Sequence, residues 1–380
     1  MVVEPKRLIT LFAFLVPVIL LAQDFPIGYR NATFHDADRD RDVTAYVYYP
    51  AAQAEEDASP VQGAFPYIVF GHGFMMNQGD YDYLYNYFVP KGYIVISLTT
   101  ETGAGPNHER FGYDLAFVGN YFYQASTNSA DFFYNCATDK FVVMGHSMGG
   151  GATHLASSYT QNMEAIITFA AAETDPSAID AAANANVPTL VFYGEGDAVA
   201  PPDANQIAIY NSSNSDCKIL IGINGGIHCY FAESQWACDF GETMSGSDAS
   251  INREEQHDIV TDLLGLYLDK KLKGNHESFL QFVDSVDNSS RITTQTNCDF
   301  TGINTTEYYR FKMYPNPSRD IIEIEINSID FEVSIINVTG QTVLKIQNER
   351  VIDVSKLKSG TYIIQVLSES QNIRENMVIW

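Results

Sequence analysis

Positive charge is scarce in this chain. Its 380 residues carry 22 lysines and arginines against 47 aspartates and glutamates, a formal net charge of −25. Such a surface repels nucleic acid and anionic headgroups, so DNA and RNA are excluded as expected partners. Long apolar runs are scarce too. The one of note spans Leu8 to Ala22, behind Lys6 and Arg7. A basic start, a short apolar run and a small residue at Ala22 read as a secretory signal peptide over 1–22. No later stretch is long and apolar enough to cross a membrane, so no transmembrane segment is expected in the mature form. Cysteine is sparse and odd in number: Cys136, Cys217, Cys229, Cys238 and Cys298. An odd count leaves at least one thiol free or paired outside the chain. Export permits disulfides, and Cys229 and Cys238, close in sequence around a loop, are the expected pair. The other three cannot be assigned. Metal-ligand spacing is missing as well: His72, His146 and His154 share none with carboxylates, and no metal is expected. The acidic stretch 36–42 lacks the glycine and terminal glutamate of a calcium loop, so it reads as a solvated hairpin end between two strands.

What is present is an ordinary globular composition, 46% apolar and 18% charged. The length suits a signal segment plus one large and one small domain. Apolar runs recur at Phe65–Phe70, Tyr93–Leu98, Lys140–Met144, Ala165–Phe169, Thr189–Tyr193 and Lys218–Gly222, the first and third ending in glycine, after an alternating strand at Thr44–Tyr49. Strands apolar on both faces belong to a sheet covered on both sides. Helical patterns at Asp80–Phe88, Phe111–Ala125, Met148–Tyr159 and Asn252–Leu272 lie between and after them. The alternation predicts an α/β domain over 23–274 with a doubly wound, mostly parallel sheet. Residues 275–311 are polar and without periodicity, which reads as a linker. From Lys312 the helical patterns vanish. Strict alternation at Ile321–Ile326 and Phe331–Ile335, with turn signals at Gly340 and Gly360, predicts a small all-β sandwich over 312–380.

The chemistry concentrates at Gly145-His146-Ser147-Met148-Gly149, between a strand and a helix. This is the G-x-S-x-G pattern in the strand–turn–helix setting that exposes a serine hydroxyl. Its partners are expected downstream in the order acid, then histidine. Asp197 follows the Thr189–Tyr193 strand in a loop, and His228 follows the Lys218–Gly222 strand in a glycine-rich loop. Ser147, Asp197 and His228 are therefore the candidate catalytic residues, with Glu195 a weaker rival for the acid. Two N–H groups must hold the oxyanion: that of Met148, after the nucleophile, and one from the loop at Gly71–Phe74, assigned to Phe74. A triad and an oxyanion hole need no cofactor, and none is expected.

These residues resemble a known family. The segments Gly145–Gly151, Val187–Phe192, Gly196–Pro201 and Ile223–His228 resemble the secreted bacterial polyester hydrolases, the cutinase and dienelactone-hydrolase-like group with the α/β-hydrolase fold that includes poly(ethylene terephthalate) hydrolases. The resemblance implies a serine carboxylic ester hydrolase acting on an ester or polyester, with Phe74 where the family usually has tyrosine. Phe74, Met148, Thr174 and Ile227 are the expected acyl contacts. Thr174 falls where the family carries a tryptophan that stacks on aromatic acyl groups. That departure and the acidic charge leave an esterase for short soluble acyl esters as the alternative, and a non-catalytic adhesin on the same fold as a reading of another class. Residues 312–380 resemble the type IX secretion sorting domain, through Tyr314–Pro317, Val338–Gly340 and Ile352–Tyr362. That resemblance implies the type IX secretion machinery as a partner and a secreted or cell-surface location.

Overall fold

Short β-branched and aromatic runs with both faces apolar form strands that must be covered on both sides. In the computed structural model, which describes residues 24–300, 312–325, 331–368 and 372–380, such segments form the middle of one nine-stranded sheet. Its strands are β1 (Ile27–Asp36), β2 (Arg41–Pro50), β3 (Phe65–Gly71), β4 (Ile94–Leu98), β5 (Ala137–His146), β6 (Ile166–Phe169), β7 (Thr189–Gly194), β8 (Lys218–Ile223) and β9 (Ile292–Thr296). The order is β1-β2-β4-β3-β5-β6-β7-β8-β9. The six strands from β4 to β8 run parallel, while β1, β2 and β9 are antiparallel to their neighbours. Helices α1 (Asp82–Phe88), α2 (His108–Ser126), α3 (Met148–Ala156), α4 (Ala178–Asn184), α5 (Gln206–Ser212), α6 (Trp236–Ser245) and α7 (Arg253–Lys273) complete this part. Tyr67 and Val69 of β3 join the apolar cluster of α2 and α3, and the alternate residues Ile68 and Phe70 are equally buried on the opposite face. This is the expected α/β architecture.

The described residues divide into two compact units, one running to Lys273 with Arg291–Asn297, the other Gly274–Ser290 with those from Cys298 onward. The segment expected to be a bare linker over 275–311 contains regular structure. Helix α8 (His276–Asn288) buries Phe282, Val283 and Val286, and β9 returns to the large sheet beside β8. Only Ile292 of β9 is buried. Backbone pairing rather than burial holds this edge strand, so its threonines left no apolar alternation to read. The hairpin end at 36–42 is also less solvated than its charge suggests. Asp36 is buried against Arg39, while Arg39 and Arg41 both reach the buried Asp114 of α2.

In the second unit, β10 (Lys312–Tyr314), β11 (Ile321–Glu325) and β14 (Val351–Asp353) form one antiparallel sheet. Strands β12 (Phe331–Asn337), β13 (Thr342–Gln347), β15 (Gly360–Ser368) and β16 (Asn372–Ile379) form another. Ile322 and Ile324 of the first pack with Val333, Ile335, Ile364 and Val366 of the second in a single core, the expected small sandwich. The expected signal segment 1–22 lies outside the described residues.

Candidate active site

Ser147 sits between the end of β5 and the start of α3 with φ 54° and ψ −120°. A non-glycine residue in this region is strained by about 1–3 kcal/mol and stays there only if its surroundings hold it. They do. The Ser147 N–H donates to the Phe169 carbonyl at 2.9 Å, and its own carbonyl accepts from Gly151 and Ala172 at 3.0 Å each. The flanking glycines follow from crowding. A Cβ on Gly145 would strike the Gly149 carbonyl, and one on Gly149 would strike the carbonyl of Gly71. The loop after β3 therefore lies against the first turn of α3.

Three side chains meet at this turn. His228 opens a short 3-10 turn, His228–Phe231, in the loop after β8. Its Nε2 lies 2.9 Å from Ser147 Oγ, and its Nδ1 lies 2.8 Å from Asp197 Oδ2. Asp197 stands in the loop after β7, and its Oδ1 accepts the Ala200 N–H at 2.8 Å. Asp197 and His228 are buried. Glu195 points elsewhere and accepts from the Thr293 hydroxyl of β9 at 3.2 Å. Met148 is the first residue of α3, where backbone N–H groups lack helical acceptors. Phe74 is half exposed in the loop after β3, and Ile227 is buried beside Gly196. Thr174 places its Cγ2 over Gly151 and donates its hydroxyl to the Pro176 carbonyl at 2.7 Å.

The histidine loop is fastened by residues that the sequence pattern did not single out. Glu242 of α6 is buried and accepts the N–H groups of His228 and Cys229, each at 3.0 Å. Burial pushes its carboxyl above the ordinary range, against these hydrogen bonds. The Gln256 amide accepts the Ile227 N–H and donates to the Ile227 carbonyl, both at 3.0 Å. Arg253 donates to the carbonyls of Cys229 and Ala232. A disulfide joins Cys229 to Cys238 across a separation of nine residues. Cys217 and Cys298 are disulfide-bonded as well, and Cys136 is a buried free thiol. Glu242, Gln256 and Arg253 all bind backbone groups, and such contacts leave no motif.

Residues 43–243 match the family described as PET hydrolase-like, and residues 312–380 match the secretion system C-terminal sorting domain. The second match marks the chain for type IX export to the cell surface or the medium. The chain is 25% identical over 183 residues to the bis(hydroxyethyl) terephthalate hydrolase of Streptomyces coelicolor, which covers 48% of this chain and 54% of that protein. It is 26% identical over 162 residues to cutinase est1 of Thermobifida alba, covering 42% of this chain and 52% of that one. The chain thus spans about half the length of these curated relatives. With its first family match running through all three residues at the elbow, the chain belongs to the PET hydrolase-like family.

Proposed function

We propose that the protein is an exported serine carboxylic ester hydrolase that forms an acyl-enzyme on Ser147. The observation that carries this reading is the chain of contacts Asp197–His228–Ser147 at 2.8 and 2.9 Å, set at a strained elbow. A carboxylate only accepts, so Asp197 fixes the proton on Nδ1 and leaves Nε2 free to take the serine proton. Ser147 Oγ attacks the ester carbonyl as His228 removes its proton. The N–H groups of Phe74 and Met148 hold the oxyanion, and the positive end of α3 adds to that field. His228 then protonates the leaving alcohol, and a water activated by the same imidazole releases the acid. The reaction is complete with these side chains and water.

The substrate proposed first is a polyester, since the chain belongs to a PET hydrolase-like family and its relatives are named for terephthalate-ester and cutin hydrolysis. A short soluble acyl ester is the second reading, favoured by Thr174 in place of an aromatic face and by the net charge of −25, which opposes approach to a carboxylate-bearing film. We propose further that 1–22 is removed on export, that 23–274 carries the chemistry, and that 312–380 serves sorting alone. Chromatography of soluble products from amorphous aromatic polyester film tests the substrate. Aromatic acids released by the parent protein but not by Ser147→Ala support the polyester reading. Their absence, with short nitrophenyl esters still cleaved, leaves the second reading.

A further inference from the structure

Beneath the elbow runs a buried file of polar groups that the acyl-transfer steps do not use. The Gly73 N–H donates to the Tyr81 hydroxyl oxygen at 2.8 Å. That hydroxyl lies 2.9 Å from His146 Nδ1, and His146 Nε2 lies 3.2 Å from the carbonyl oxygen of His228. Tyr81 and His146 are almost wholly withdrawn from solvent.

The direction of every bond in this file can be deduced. A carbonyl oxygen only accepts, so His146 Nε2 carries a proton. Burial drives His146 well below the usual histidine range, so the ring is neutral and Nδ1 is an acceptor. The Tyr81 hydroxyl therefore donates to Nδ1, with the Met76 sulfur at 3.2 Å as a weaker second acceptor, and its oxygen accepts from Gly73. The bonds of the file point one way from Gly73 to His228. Burial also holds the Tyr81 hydroxyl far above the ordinary tyrosine range, so it keeps its proton.

The two ends of the file matter for the proposed reaction. Gly73 immediately precedes Phe74, whose N–H is the oxyanion donor in the reading above. The Gly73 carbonyl, in the same peptide plane as that N–H, is itself held by the Met76 N–H at 3.1 Å and faces His72 Nδ1 at 2.8 Å. At the other end the acceptor is the main chain of the residue that moves the proton. Holding Gly73 by its N–H thus fixes the loop one residue before the donor, and fixes it relative to the histidine.

We propose that Tyr81 and His146 are positioning residues that lock the oxyanion loop at Gly73 to the backbone of His228, so that donor and base keep one spacing. The proposal rests on the assignment of Ser147 and His228. The oxyanion donor matters most once the carbonyl oxygen carries charge, so the lock acts on the transition state more than on the bound ester. Packing alone would not produce that selectivity.

The test uses Tyr81→Phe, His146→Leu and the double variant, with 4-nitrophenyl butyrate, well below the melting transition of each. End-point titration with a fluorophosphonate counts competent sites, which removes any misfolded fraction. Each single variant is expected to lose kcat by about 10–100-fold with KM within about twofold. Inhibition by a phenylboronic acid, which forms a tetrahedral adduct on the serine, should weaken by the same factor as kcat. The double variant should lose no more than the worse single one, because two links of one file fail together. A Tyr81→Phe protein with parental kcat, losses that multiply in the double variant, or a fall in kcat without loss of boronic acid affinity would each overturn the proposal. Ser147→Ala separates the two readings. If it retains activity, the nucleophile assignment fails; if it is inert while Tyr81→Phe matches the parent, only the lock fails.

Discussion

Glu242 Oε1 accepts the backbone N–H of His228 at 3.0 Å, so a buried carboxylate on α6 holds the main chain of the residue that faces Ser147. Its second oxygen takes the next N–H, that of Cys229. Removing it leaves two buried donors without an acceptor, and each costs about 1–3 kcal/mol. Glu242→Ala is expected to lower stability by about 2–4 kcal/mol, read by urea unfolding, and to lower kcat because the imidazole loses its fixed backbone. Glu242→Gln keeps one acceptor oxygen and should fall between. Parental stability and kcat in both variants would show that the loop is held without this contact.

Much of this site was legible in the sequence. Apolar runs ending in glycine marked β3 and β5, and the order of Ser147, Asp197 and His228 follows from where those residues stand after strands. What was not legible has a common cause. Glu242, Gln256 and Arg253 act on backbone N–H and carbonyl groups, and any residue supplies those, so no pattern of types announces them. The same reason hides Tyr81, whose partner at Gly73 is a main-chain N–H. The edge strand β9 escaped because its threonines face solvent and only Ile292 is buried.

Acid should destabilise the fold through buried histidines. His154 of α3 is fully buried, and that burial lowers it from the ordinary 6.5 to about 4. His257 is likewise lowered to about 4, mainly by burial. The unfolded chain takes up these protons below 6.5 while the folded one does not. Stability from the neutral rings is therefore present above 6.5 and is lost as pH falls towards 4. The loss from His154 alone is about 3 kcal/mol at the bottom of that window. His154→Leu should flatten the fall in melting temperature between pH 7 and pH 4.5. An unchanged slope would assign the acid sensitivity to other groups.

The surface over Gly151 should govern aromatic substrates. Thr174 occupies it with a methyl group and turns its hydroxyl back to Pro176. An aromatic ring at that position adds a stacking face of about 1 kcal/mol, or roughly fivefold in rate. Thr174→Trp is expected to raise soluble aromatic acids released from polyester film by that factor and to leave cleavage of 4-nitrophenyl acetate nearly unchanged. An equal change on both substrates would place the effect in the reaction centre rather than in acyl recognition.

If Ser147 attacks the ester, a covalent probe of nucleophilic serine reacts there and nowhere else. The measurement is peptide mapping by mass spectrometry after reaction with a fluorophosphonate, run beside 4-nitrophenyl butyrate hydrolysis. The expected result is one phosphonyl group on the peptide that contains Ser147, activity lost in step with labelling, and neither label nor turnover in Ser147→Ala. A label on another residue, or undiminished hydrolysis by Ser147→Ala, would contradict it.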